Sequence, residues 1–208
     1  MYSLTCAILG ATGAVGQKFV RLLDNHPWFE IKALAASARS AGKAYSEAAN
    51  WLEETPLNPH IASMTVCNCS PEEVGDVDFV FSGLDSSVAG EIEQAFSKAG
   101  IPVISNAKNH RILPHVPLLV PEVNPDHIRQ IDFQENFKSN GGFIVTNPNC
   151  VTVPLSMALK PILDEVGIEA LTVTSLQAVS GAGYPGVPSL DILLRYRQDC
   201  FYYLALQR

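Results

Sequence analysis

A chain of 208 residues has room for one ordinary domain, or for one domain and part of a second. With 47% hydrophobic and 17% charged residues it cannot be a disordered chain, and a formal net charge of -7 offers no basic footprint for nucleic acid or anionic lipid. No apolar run reaches membrane-spanning length, so a cytoplasmic globular protein is expected, with neither nucleic acid nor membrane as partner but a small molecule or another protein chain.

The start, "MYSLTCAILGATG", lacks a basic segment and a clear cleavage site, so no targeting peptide is expected there. "LTCAIL" (4–9) reads as a strand and "AVGQKFVRLLDN" (14–25) as a helix, followed by a strand at "IKALAA" (31–36). Cys67 and Cys69 alternate on a further expected strand; with no second ligand pair at zinc-site spacing they read as structural, and no metal is predicted. "DFVFSGL" (78–84) and "SVAGEIEQAFSKAG" (87–100) repeat the strand and helix sequence, and strands follow at "IPVIS" (101–105) and "GFIVT" (142–146). Such alternation with short connections marks βαβ units. Residues 1–149 therefore predict an α/β domain, a doubly wound, Rossmann-type parallel sheet. Residues 150–208 open with a helix and continue into "IEALTVTSLQAVS" (168–180), read as a long strand, and predict the beginning of an α+β substrate or dimerisation domain. Five cysteines, odd in number and scattered, fit a reducing compartment.

"GATGAVG" places Gly10, Gly13 and Gly16 directly after the first strand and into the first helix. There glycines serve a tight turn, a close backbone approach to phosphate and close helix packing, with the helix N-terminus facing the anion. Thr12, Ala14 and Val15 complete the expected cofactor loop. About 20 residues on, a carboxylate would hold a free ribose 2′-OH and repel a 2′-phosphate. Instead the stretch "AASARSAGK" offers Ser37, Arg39 and Ser40, with Lys43 nearby, which predicts NADP over NAD. "SGLDSS" (82–87), with Leu84 and Asp85, follows another strand at the edge where such sheets bind ligands and is assigned to the cofactor.

"GGFIVTNPNCVTVPLSMALKP" (141–161) passes from a strand through the turn formers Asn147, Pro148 and Asn149 into a helix, with Cys150 at the junction. A thiol becomes a nucleophile as thiolate, and a helix N-terminus favours that charge with partial positive charge and unpaired N–H groups. The competing reading is a buried Cys acting as a small hydrophobe.

With the glycine loop, "NAKNHR", "NPNC" and "QAVSGAGYPG" in one chain and in this order, the sequence resembles aspartate-semialdehyde dehydrogenase, particularly its archaeal and fungal branch, from about residue 3 to about residue 192. The resemblance implies reduction of 4-phospho-L-aspartate with NADPH to L-aspartate 4-semialdehyde and phosphate, in the route to lysine, methionine and threonine, by a family of homo-oligomers. It implies that Cys150 is the nucleophile, which forms a thioester, and that Gln177 positions the substrate. By the same resemblance Arg111 grips phosphate with help from Lys108. Asn106, with Ser180, Gly181 and Gly183 of the "SGAG" turn, lines the cofactor near its reactive ring, Asn106 being also counted with the phosphate-binding group. Glu122 and Asn124 match a segment near the active site.

The chain departs from that pattern at two places. Val151 stands where the family usually has a small hydroxyl residue, and from about residue 193 "LLRYRQDCFYYLALQR", with Arg195, Arg197, Cys200, Phe201, Tyr202 and Tyr203, no longer resembles the family, whose members are longer. The family's general acid/base is a His downstream of the nucleophile, accompanied by an Arg for the substrate carboxylate. His26, His60, His110, His115 and His127 all precede Cys150 and read mostly as surface residues. A truncated second domain is the resulting expectation. Two functions then compete, a working dehydrogenase and a catalytically silent NADP-binding fragment, with N-acetyl-glutamyl-phosphate reductase as a related alternative within the enzyme class.

Overall fold

The computed structural model describes residues 3–176 and 178. The chain divides into two compact units, Met1–Leu171 and Thr172–Arg208. Gln177, Ser180, Gly181, Gly183 and the tail beginning at about residue 193 lie outside the described residues.

In the first unit β1 (Leu4–Leu9) feeds α1 (Ala14–Leu23), then β2 (Phe29–Ala36). Short elements follow: α2 (Tyr45–Ala48), α3 (Pro59–Ser63), β3 (Val66–Asn68) and α4 (Pro71–Val74). Two of these short helices begin alike. Asn58 and Ser70 each cap with a side-chain oxygen, accepting from His60 N–H and Glu73 N–H, and each precedes a proline at the first helical position, where no backbone N–H is needed. β4 (Phe79–Ser82), α5 (Ser86–Lys98) and β5 (Val103–Ser105) come next. A 3₁₀ segment (Pro125–Phe133) and α6 (Glu135–Asn140) lead to β6 (Ile144–Thr146) and α7 (Thr152–Val166).

Among the described residues six strands pair in parallel in the order β3-β2-β1-β4-β5-β6, the doubly wound arrangement the alternation predicts. Alternation along β1 sends Cys6 and Ile8 into one apolar cluster, with Val20, Leu34 and Tyr45, and Ala7 and Leu9 into the other, with Val80, Phe96 and Val103. Both faces of the sheet are thus covered, which an all-parallel sheet requires. On α1 the buried residues Gly16, Gln17, Val20 and Leu23 form the sheet-facing stripe, and on α5 they are Ala89, Glu93, Phe96 and Ser97.

Three sequence expectations are corrected. β2 starts two residues earlier than the apolar run, at Phe29, and Cys69 lies just past the end of β3 rather than on it. Over residues 168–176 no strand forms among the described residues, where no partner strand pairs with this run; β propensity alone does not make a strand. α7 buries none of its described side chains.

Candidate active site

β1 ends at Leu9, and the chain turns at once. Gly10 has φ +74, and a Cβ there would lie 2.9 Å from the Gly83 carbonyl oxygen. At Gly16 a Cβ would come within 2.1 Å of the Gly10 carbonyl oxygen, so glycine lets α1 pack on its own approach. Gly13 precedes α1, whose start no side chain caps, and a Cβ on it would make only an ordinary 3.4 Å contact. The opening turn, Thr12 to Val15, thus stands at the positive end of α1 with no side-chain cap, and the Gly13 N–H is taken by the Gly10 carbonyl at 3.0 Å.

Two buried side chains that the sequence reading passed over hold this loop. The Tyr45 hydroxyl donates to the Ala11 carbonyl at 2.8 Å. Gln17 donates to the carbonyls of Thr12 and Asn50, both at 3.0 Å, and accepts from the Leu52 N–H at 2.7 Å. The signal for Gln17 was its place on the apolar stripe of α1, where a polar side chain needs partners.

Ser37, Arg39 and Ser40 follow β2, in a turn closed by the Ser40 N–H on the Ser37 carbonyl at 2.8 Å. Ser37 and Arg39 are exposed, and among the described residues Arg39 makes no salt bridge. Leu84 and Asp85 follow β4, where Gly83 meets the first glycine loop backbone to backbone. Asp85 caps α5 by accepting the Ser87 N–H at 2.8 Å; hydrogen bonds from the Ser87 backbone, then its side chain, hold the carboxyl below the ordinary range, and the Lys108 charge adds to this.

Asn106 follows β5 and Asn147 follows β6, the neighbouring strand. The Asn147 carboxamide donates to Asn106 Oδ1 at 3.0 Å, and Arg111 donates to the Asn106 carbonyl at 2.9 Å. Arg111 Nε and Asn147 Oδ1 are buried there without a hydrogen-bond partner. Such orphans cost free energy unless a ligand or water meets them, and a donor fork of this kind suits phosphate. Lys108 is exposed on the same loop.

Cys150, three residues past Asn147, is exposed, so the buried-hydrophobe reading is excluded. Asn149 Oδ1 accepts the N–H groups of Val151 at 3.1 Å and Thr152 at 2.8 Å, so Asn149 is the functional cap and Cys150 the first residue of the helical turn. The cap also amends an expectation: two of the N–H groups beside the thiol are already engaged. A hydroxyl stands one residue after Val151, at Thr152, whose Oγ1 also donates to Asn149 Oδ1 at 2.8 Å.

All the described site residues lie at the carboxyl edge of the sheet, from β2 through β1, β4 and β5 to β6. That is four strand spacings of about 4.8 Å, about 19 Å in all. Elsewhere the reading is amended. Asn124 braces its own turn, accepting from Val120 N–H at 2.8 Å and donating to the Leu118 carbonyl at 2.9 Å. Glu122 is exposed nearby. His110, read as a surface residue, is 2% exposed, because it turns inward toward the buried carboxylate of Glu93. Among the described residues no helix is long and apolar enough to cross a membrane.

The semialdehyde dehydrogenase NAD binding domain matches residues 5–131. The aspartate-semialdehyde dehydrogenase of Schizosaccharomyces pombe is 52% identical over 188 residues, 89% of this chain and 53% of the relative. That of Methanothermobacter thermautotrophicus is 50% identical over 186 residues, with the same two shares. The crystal structure of aspartate semialdehyde dehydrogenase with NADP from Candida albicans aligns with a TM-score of 0.78 at 47% identity, over 86% of this chain and 52% of that one. The chain spans about half the length of the curated relatives it matches. The parallel sheet with its glycine turn after β1 and the match over residues 5–131 lead to one conclusion: the chain belongs to the semialdehyde dehydrogenase family of oxidoreductases and carries its NAD-binding domain.

Proposed function

We propose that this chain is the nucleotide-binding and nucleophile-bearing portion of an NADP-dependent aspartate-semialdehyde dehydrogenase, which converts 4-phospho-L-aspartate to L-aspartate 4-semialdehyde and phosphate on the route to lysine, methionine and threonine. Residues 1–149 hold the cofactor, and residues 150–208 begin the catalytic domain. The observation that carries the reading is the exposed Cys150 in the turn that leads into α7, at the sheet edge that also carries the Asn106–Arg111 loop. Relatives named for the aspartyl substrate support it over the N-acetyl-glutamyl alternative.

Cys150, as thiolate, attacks the acyl-phosphate carbonyl; the C–S bond forms, the bond to the phosphate oxygen breaks, and phosphate leaves with that electron pair. Arg111, with Lys108, binds the phosphate and balances its charge, while Gln177 orients the substrate without adding charge. NADPH, when bound, would supply hydride to the thioester carbonyl and leave as NADP. Collapse of the resulting adduct breaks the C–S bond and returns the thiolate. The cofactor would be held by the loop Gly10–Gly16, by Leu84 and Asp85, and near its reactive ring by Asn106, Ser180, Gly181 and Gly183. Ser37, Arg39 and Ser40 would take the 2′-phosphate; the absence of an acid at the end of β2 and the NADP in the Candida albicans structure support that choice.

The test is phosphate-dependent reduction of NADP by the purified chain with L-aspartate 4-semialdehyde. NADP binding is expected, and any turnover the chain shows should be lost in the Cys150→Ala variant. NADP binding without turnover would reduce the chain to a cofactor-binding unit, and turnover retained in the variant would remove Cys150 from the reaction.

A further inference from the structure

Below the loop that carries Arg111 lies a buried polar cluster with no part in the reaction described above. Glu93 is fully buried on α5, and its Oε1 accepts the hydroxyls of Ser82 at 2.6 Å and Ser105 at 2.7 Å, the paired last residues of β4 and β5. Its Oε2 faces His110 Nε2 at 3.3 Å, and neither atom has another polar partner. The Ser105 hydroxyl in turn accepts the Ala107 N–H at 3.0 Å. Beside them Asn109 donates to the Ser86 carbonyl at 2.9 Å, close against Gly90, where a Cβ would sit 3.1 Å from Asn109 Nδ2. Residues 105, 107, 109 and 110 are thus tied to α5 or to the strand ends, directly before Arg111.

A buried ionisable pair contributes little net stability compared with apolar residues of the same shape, because desolvation offsets its attraction. A core filler at position 93 would be apolar, since Glu93 shares a helix stripe with Ala89 and Phe96. What the carboxylate adds is direction: its three polar contacts, to Ser82, Ser105 and His110, fix where the loop leaves the sheet. We propose that Glu93 and His110 are positioning residues that hold the Asn106–Arg111 loop so that the Arg111 guanidinium is aimed at the substrate phosphate. This rests on the reading of Arg111 as the phosphate-binding residue.

The test titrates inorganic phosphate into the full chain by calorimetry in saturating NADP, which fills the glycine loop. Wild type is compared with Glu93→Gln, His110→Gln and Arg111→Ala, alongside NADP affinity and thermal melting. Phosphate affinity should fall about 5- to 10-fold in both positioning variants, with NADP affinity within about twofold of wild type and a cooperative melt retained. Loss of phosphate binding in Arg111→Ala but not in Glu93→Gln or His110→Gln overturns the positioning role alone. Phosphate binding unchanged by Arg111→Ala, or absent in wild type, overturns the reading of Arg111 and the positioning role with it. Should Glu93→Gln fail to fold, His110→Gln decides the matter by itself, since it alters the loop and leaves the sheet-facing helix intact.

Discussion

Asn149 accepts both the backbone N–H and the side-chain hydroxyl of Thr152 at 2.8 Å, closing a cap across Cys150. Replacing Asn149 with Ala removes that acceptor and the Val151 contact together, at a cost of about 1 kcal/mol. Because α7 buries none of its described side chains, the loss should be local. Hydrogen exchange is expected to quicken at the first turn of α7 and to stay unchanged in β1 and β4.

Cysteine chemistry should separate the thiols. Cys150 is exposed, whereas burial pushes the Cys6 thiol up to about 12 and also raises Cys67 and Cys69. Access favours Cys150, and burial holds back the thiolate of the other three. Brief iodoacetamide treatment at mildly alkaline pH should alkylate Cys150 first among these four, read by peptide mass spectrometry; equal labelling would contradict the placement of Cys150 on the surface.

At Gly16 any side chain collides with backbone, 2.1 Å from the Gly10 oxygen and 2.7 Å from the Ala11 Cα. Gly16→Ala should lower stability by about 1–3 kcal/mol and weaken NADP binding, because the loop must shift to admit the methyl group. Gly42→Ala is the control: a Cβ there meets nothing within 4 Å, and although its φ of +82 costs stability, cofactor affinity should hold.

Arg39 is exposed beyond β2, so its replacement should be structurally mild. Arg39→Ala is expected to weaken NADP about tenfold while leaving NAD affinity nearly unchanged, measured as two dissociation constants on one preparation. A parallel loss for both cofactors would show that Arg39 does not read the 2′-phosphate.

Asp78 accepts the Thr5 N–H at 2.6 Å and the Thr5 hydroxyl at 2.8 Å, and these bonds, with a smaller contribution from the Lys32 charge, hold its carboxyl below the ordinary range. A depressed folded value means that the stabilisation is complete above the ordinary carboxylate range and is lost as pH falls through the folded value. Asp78→Asn should therefore flatten the acid side of a plot of melting temperature against pH.

Local features were legible in the sequence, and contacts between distant residues were not. The glycines of the first loop and Cys150 at a helix start announce themselves because turn, cap and helix are neighbours in the chain. Glu93 and His110 meet only because α5 crosses beneath the loop after β5, so each alone looked like an ordinary polar residue. One sign was present: Ala89, Glu93 and Phe96 fall four and three residues apart, which puts the acid on the inward stripe of its helix. Tyr45 gave no such sign, since α2 is only four residues long and shows no period.

Gly10, Gly16 and Gly83 press backbone against backbone where the loops after β1 and β4 meet. In most crowded places a larger residue on one side can be answered by a smaller one opposite. Here the opposite partner is already the smallest residue there is, so a substitution has no second-site suppressor along this seam. Random mutagenesis with selection for cofactor binding should return all three positions unchanged, while the polar residues around them vary.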